Sequence, residues 1–182
     1  MNNNLEIEHK LLVDKESFYK LYHMFHEPDF FTQVNVYYDT QHNDVRKMRG
    51  SMRIRDIKGE HIFTLKVHTP VGTIEHEKKV KDNSIYSLND EEITKLLAQF
   101  HIQGPFKELT KLKTERAIYN SKEAELCFDI STYNGKKDYE IEYEYKKDHD
   151  GFKAFNEILA RVGLHFETNC TSKIQRALKS IE

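Results

Sequence analysis

The chain has 182 residues, of which 32% are charged, yet its 28 Lys and Arg nearly cancel its 30 Asp and Glu, leaving a formal net charge of −2. That balance argues against a general nucleic-acid binder, which carries a clear basic excess, but leaves room for a small polyanion held by a local basic cluster. Cys127 and Cys170 are too far apart for a zinc motif or a disulfide framework, no apolar run approaches membrane-spanning length, and the first residues lack a signal-peptide pattern. The expectation is a soluble, cytoplasmic chain with no membrane partner.

Residues 5–11, Leu-Glu-Ile-Glu-His-Lys-Leu, alternate as a strand and place Glu6, Glu8 and Lys10 on one face and Leu5, Ile7 and Leu11 on the other, in steps of about 7 Å. From Asp14 to His26 the apolar positions Phe18, Leu21, Tyr22 and Phe25 follow a helical period, with Asp14 as N-cap and Pro28 as a stop. Strands are expected at 31–39, 50–57, 60–67 and 72–80, with Lys58-Gly59 as a tight hairpin turn. A helix over 89–101 takes Asn89 as N-cap, with Glu92 completing a variant of the capping box. Strands at 107–120, 124–133 and 136–147 follow, the last two joined at Asn134-Gly135, and helices at roughly 150–163 and 171–181 close the chain.

The charged two-residue spacing of the first strand recurs. Arg53 with Arg55, Thr64 with Lys66, Glu75 with Glu77, and Glu140 with Glu142 and Glu144 each share a face, interleaved with apolar residues. Two arrangements accommodate them: an open sheet whose charged face meets water, or a barrel whose charged face lines the interior. Eight strand candidates joined mainly by hairpins suit closure, which also removes exposed edges. The fold expected is therefore mainly-β α+β, an eight-stranded antiparallel closed barrel or tunnel with a charged lumen and flanking helices. With three prolines, seven glycines and no linker or repeat, residues 1–182 are read as one domain.

Glu6-Ile-Glu8-His-Lys10 resembles the Glu-x-Glu-x-Lys signature of the CYTH domain, the triphosphate tunnel metalloenzyme superfamily. The resemblance continues through Tyr37-Tyr38-Asp39-Thr40, Met52-Arg53-Ile54-Arg55, Thr64-Leu65-Lys66, Thr114-Glu115-Arg116 and Tyr139 to Glu144 as far as Ser172-Lys173-Ile174-Gln175-Arg176, in the family's order over essentially the whole chain. It is most similar to the small single-domain bacterial members of Gram-positive type. It implies an eight-stranded tunnel that binds a triphosphate and a divalent metal, with triphosphate hydrolysis as the commonest activity.

The residues themselves suit that chemistry. Arg53, Arg55 and Arg116 offer forked contacts to phosphate oxygens, and Lys10, Lys66, Lys173 and Arg176 add positive charge. Magnesium or manganese takes carboxylate oxygens, which Glu6, Glu8 and Glu142 are expected to supply. Glu140, Glu75 or Glu77 is assigned to a second metal or to the attacking water, with Lys66 beside them. Asp129 is divided evenly between metal ligand and structural acceptor, Asp39 is at least as readily a turn residue as a catalytic one, and Glu144 is placed at the rim. Lys111 and Lys113 have the opposite strand parity from Arg116, so they face the lumen only if a bulge intervenes. The substrate expected is a small-molecule triphosphate: tripolyphosphate, thiamine triphosphate or a nucleoside triphosphate, handled by a monomer or homodimer. Two other readings are a class IV adenylyl cyclase making cyclic AMP and a non-catalytic polyphosphate-binding protein.

Overall fold

In the computed structural model, which describes residues 1–181, the chain runs β1 (Asn2–Glu6), β2 (Glu8–Val13), α1 (Lys15–Met24), β3 (Phe31–Thr40), α2 (Asp44–Lys47), β4 (Ser51–Ile57), β5 (Glu60–Thr69) and β6 (Gly72–Val80). A 3-10 turn (Ile85–Asn89), α3 (Glu91–Gln99), β7 (Phe106–Asn120), β8 (Ala124–Tyr133), β9 (Lys136–Tyr145), α4 (Gly151–Ala160) and α5 (Lys173–Lys179) follow. Lys58-Gly59 and Asn134-Gly135 take left-handed φ values of 50° and 80°, and of 46° and 75°. Two successive positive φ values match the twist of antiparallel strands, so these dipeptides fix the β4–β5 and β8–β9 registers. Asp14 caps α1 by accepting from Ser17 N, as the sequence indicates. For α3 the cap is Asp90, not Asn89, because the 3-10 turn uses Asn89 and delays the helix by one residue.

The strands form one curled antiparallel sheet in the order β1-β6-β5-β4-β3-β7-β8-β9-β2. The strand count is nine where eight were expected, because the N-terminal segment divides at Ile7. Its first half pairs with β6, Leu5 opposite Ile74, and its second half pairs with β9, Lys10 opposite Glu142. One continuous stretch of chain therefore pairs the outer edges of β6 and β9, which would otherwise be open.

Strand parity sorts the sheet into an apolar outer face and a polar inner face. Outside, Phe18 and Leu21 of α1, Phe25 just after it, and Phe155 and Leu159 of α4 pack on Leu126, Phe128, Ile130, Ile141 and Tyr143. Ile93, Leu96 and Leu97 of α3 cover Val36, Met52, Ile54, Phe63 and Leu65 in the same way. Each fully buried side chain of this kind contributes roughly 1.5–3 kcal/mol, so the outer layers hold the sheet and the inner face need not be apolar. Unlike the other helices, α5 packs inward: Ala177 joins Tyr37, Leu112 and Tyr133 on the inner face. Ser172 and Gln175 form a full capping box that fixes where α5 starts. Among the described residues no helix is long and apolar enough to cross a membrane.

Candidate active site

The β7, β8 and β9 ladders bring three carboxylates into one buried cluster. Asp129 lies opposite Glu140 on the neighbouring strand, with Glu142 one inward step along β9. Oxygens of all three lie within 4.8 Å of one another. Their partners are cations from two other elements. Lys173 at the start of α5 places Nζ 2.8 Å from Asp129 Oδ2 and also bonds Glu140 and Glu142. Arg116 donates from Nε to Asp129 Oδ1 at 2.7 Å and also contacts Glu142, while Arg176 Nη2 lies 2.8 Å from Glu140 Oε2.

The fields in this cluster oppose one another. Burial alone would raise the Glu142 carboxyl, but Lys173 and Arg116 together hold it well below the usual carboxylate range. Glu140 shifts the other way: burial pushes it up against the pull of Lys173, and the neighbouring Glu142 charge adds to the rise. Burial opposes the charge on Lys173, yet the three carboxylates hold its pKa well above normal.

A second cluster is carried by β1, β2, β5 and β6, and adjoins the first where Lys10 of β2 faces Glu142 of β9. Lys66 on β5 lies 2.6 Å from both Glu6 and Glu75, and Arg53 approaches Glu75 at 4.0 Å. Glu8 and Lys10 pair with each other on β2. Burial raises the Glu6 carboxyl, with Lys66 pulling it back and Glu8 and Glu75 pushing it further up. Glu144, by contrast, makes no ion pair among the described residues; burial, with help from Glu6 and against the pull of Arg116, pushes it up to about 7. It is thus a partly enclosed carboxyl near neutrality, not the solvated rim charge that its position in the sequence suggests.

Between the two clusters sits Arg55. Its Nε donates to Asn35 Oδ1 at 2.9 Å, and among the described residues it has no ion pair. Burial, then the like charges of Arg53 and Arg116, press its pKa down to about 9. The neighbouring Arg53 is 9% exposed, and its buried Nε has no hydrogen-bond partner among the described residues. Arg55 is therefore enclosed beside Arg53 without a carboxylate partner among the described residues, whereas Arg53 has Glu75 at 4.0 Å. Both open on a cavity of about 510 Å³ that is also lined by Glu6, Glu8, Lys66, Arg116, Glu142 and Lys173.

The strand-parity reading thus gathers most of the candidates. Glu77 is set apart: it accepts from Thr64 Oγ1 at 3.2 Å and makes no ion pair among the described residues. Glu75 reaches the site only through Lys66 and Arg53. Asp39, fully buried, accepts from the backbone N–H groups of Thr40, Val45 and Arg46, which makes it the anchor of the α2 turn. Lys111 and Lys113 are exposed and pair with Glu108 and Glu115, so parity holds and only Arg116 turns inward. Two cavity-lining cations escaped the sequence reading, Arg46 and Arg49. They lie on a short helix and turn where strand alternation carries no signal.

The carboxylates fit a hard divalent cation: they are oxygen donors, buried and converging, and they already coordinate an ammonium group from three sides.

The profile of the CYTH domain matches residues 4–175, and the chain belongs to that family. A relative from Bacillus subtilis (strain 168), named "Putative triphosphatase YjbK", is 29% identical over 170 residues, covering 90% of each chain. Among solved structures, a Bacillus halodurans protein described as a "putative adenylate cyclase" superposes with a TM-score of 0.86 at 31% identity, covering 97% of this chain and 98% of that one. HpAC1 from Hippeastrum, whose description speaks of a dominant triphosphatase activity, shares the fold with a TM-score of 0.72 at 19% identity, covering 98% and 96%.

Proposed function

We propose that the protein hydrolyses a triphosphate in a metal-dependent reaction within the curled sheet, read as a tunnel, and releases orthophosphate. The observation that carries this reading is Arg55, enclosed beside Arg53 without a carboxylate of its own. A buried, unpaired cation costs several kcal/mol and persists where a ligand supplies the missing charge. A triphosphate matches that demand, and the name of the B. subtilis relative points the same way.

Glu6, Glu8 and Glu142, with Asp129, would hold magnesium or manganese, which leaves Glu140 for the attacking water. Once bound, the ion neutralises charge on the phosphates and on the leaving oxygen. The chain's own residues do the rest. Arg53, Arg55 and Arg116 fork onto phosphate oxygens, and Lys10, Lys66, Lys173 and Arg176 surround the chain of phosphates. Glu140, whose carboxyl is raised by burial, accepts a proton from the attacking water more readily than Glu142 does. Glu75 keeps Lys66 and Arg53 in place for the terminal phosphoryl group.

The adenylate cyclase description of the B. halodurans structure supports a second reading, cyclic AMP formation from ATP. The two separate on products. Tripolyphosphate, thiamine triphosphate and ATP are incubated with magnesium or manganese, with and without chelator. Metal-dependent orthophosphate supports the hydrolase, and cyclic AMP with pyrophosphate replaces it by the cyclase. A pure binding protein yields neither.

A further inference from the structure

The cations of the cavity do not stop where a triphosphate is satisfied. Along β4, Arg55, Arg53 and Ser51 point inward at successive steps of about 7 Å, and Lys66 lies opposite Ser51. Beyond Ser51 the chain turns back through α2, and its Arg46 and Arg49 both line the cavity. Neither makes an ion pair among the described residues, whereas Lys47 on the same turn pairs with Asp44. The cavity carboxylates cannot serve them: Glu6, Glu8, Glu140 and Glu142 are already engaged by Lys66, Lys10, Lys173, Arg176 and Arg116.

The turn that carries the two arginines is built firmly. Asp39, with no exposed surface, binds the backbone N–H of Val45 at 2.9 Å and of Arg46 at 3.2 Å. Arg49 holds a left-handed φ of 58°, an uncommon conformation for a side chain of its size. Gly50 follows it so close to β5 that a Cβ there would lie 2.8 Å from Lys66 O. The backbone that carries these two exposed arginines is thus held against the strand that carries Lys66.

We propose that Arg46 and Arg49 form an outer phosphate subsite, one step beyond Lys66 and Arg53, so that the site takes linear polyphosphates of four or more phosphoryl groups in preference to three. This rests on the triphosphatase reading and deepens it. A fourth phosphoryl group adds negative charge on the line of the inner cations and meets two forked donors that no carboxylate satisfies.

The test is titration calorimetry of tripolyphosphate and tetrapolyphosphate into metal-free protein, alongside KM for both with magnesium. The wild type is expected to favour tetrapolyphosphate by about ten-fold, the worth of two solvent-accessible charge-assisted contacts. In Arg46→Gln/Arg49→Gln that ratio falls to about one, and Arg46→Lys/Arg49→Lys recovers part of it. Lys47→Gln, which removes one positive charge from the same turn outside the cavity lining, keeps the wild-type ratio. Equal affinities in the wild type, or a ratio lowered as much by Lys47→Gln, overturn the subsite while leaving triphosphate hydrolysis standing. Failure of the wild type to bind or hydrolyse either compound overturns both.

Discussion

Arg116 and Asp129 face each other in the β7–β8 register and are joined by two parallel bonds, Nε to Oδ1 at 2.7 Å and Nη2 to Oδ2 at 2.5 Å. Asp129 has no exposed surface and also holds Lys173, so one carboxylate is shared by two enclosed cations. Asp129→Ala leaves both underpaired and is expected to lower stability by about 3–5 kcal/mol. Urea unfolding in chelator measures this; a change within about 0.5 kcal/mol, as at ordinary surface positions, contradicts it.

Lys173 stands among the same three carboxylates that fit a divalent ion, so ammonium and metal compete for them. In Lys173→Met the competitor is gone. Manganese should bind the substrate-free variant more tightly than the wild type by calorimetry, even as turnover falls through loss of a phosphate contact. Weaker manganese binding in the variant would place the ion elsewhere.

Arg55 predicts opposite signs for stability and binding. Replacing an enclosed guanidinium that has no counter-charge by Met should raise the stability of the ligand-free protein by about 1 kcal/mol. Tripolyphosphate affinity should drop by about ten-fold or more with loss of the forked contact. A variant that loses both stability and affinity would show that Arg55 is structural.

Asp82, which does not line the cavity, supplies a pH prediction. Its carboxylate accepts from Ser84 N, Ser84 Oγ and Ser87 Oγ, and these bonds, the Ser84 side chain first, hold its pKa down at about 2. The folded value lies below the unfolded one, so the contribution is present above pH of about 4 and disappears as pH falls through about 2. Thermal midpoints between pH 5 and pH 2 should therefore fall more steeply for the wild type than for Asp82→Asn. Parallel profiles would remove Asp82 from the acid response.

Much of this was legible because strand parity is a local rule. Asn134-Gly135 and Lys58-Gly59 set registers, and with registers set, Glu140, Glu142, Arg53, Arg55 and Lys66 had to share a face. The exposure of Lys111 and Lys113 follows from the same rule. What was hidden depends on distant partners. Nothing in Glu6-Ile7-Glu8 marks a break; the strand divides because β6 and β9 lie at opposite ends of the sheet and each takes half of it. The four residues of α2 are too few to show a period, so Arg46 and Arg49 gave no sign of facing the cavity. The inward packing of α5 is likewise tertiary, although its Ser172 and Gln175 capping box stands in the sequence.

The central claim is that the carboxylates of the inner face serve a metal-dependent triphosphatase. Its most direct test is orthophosphate release from tripolyphosphate by wild type, Glu6→Gln and Glu8→Gln, titrated with magnesium and manganese against chelator. The prediction is release that requires metal in the wild type and falls by at least about a hundred-fold in both variants, with the fold retained as a cooperative thermal transition. Full activity in either variant, or release that survives chelation, would contradict it.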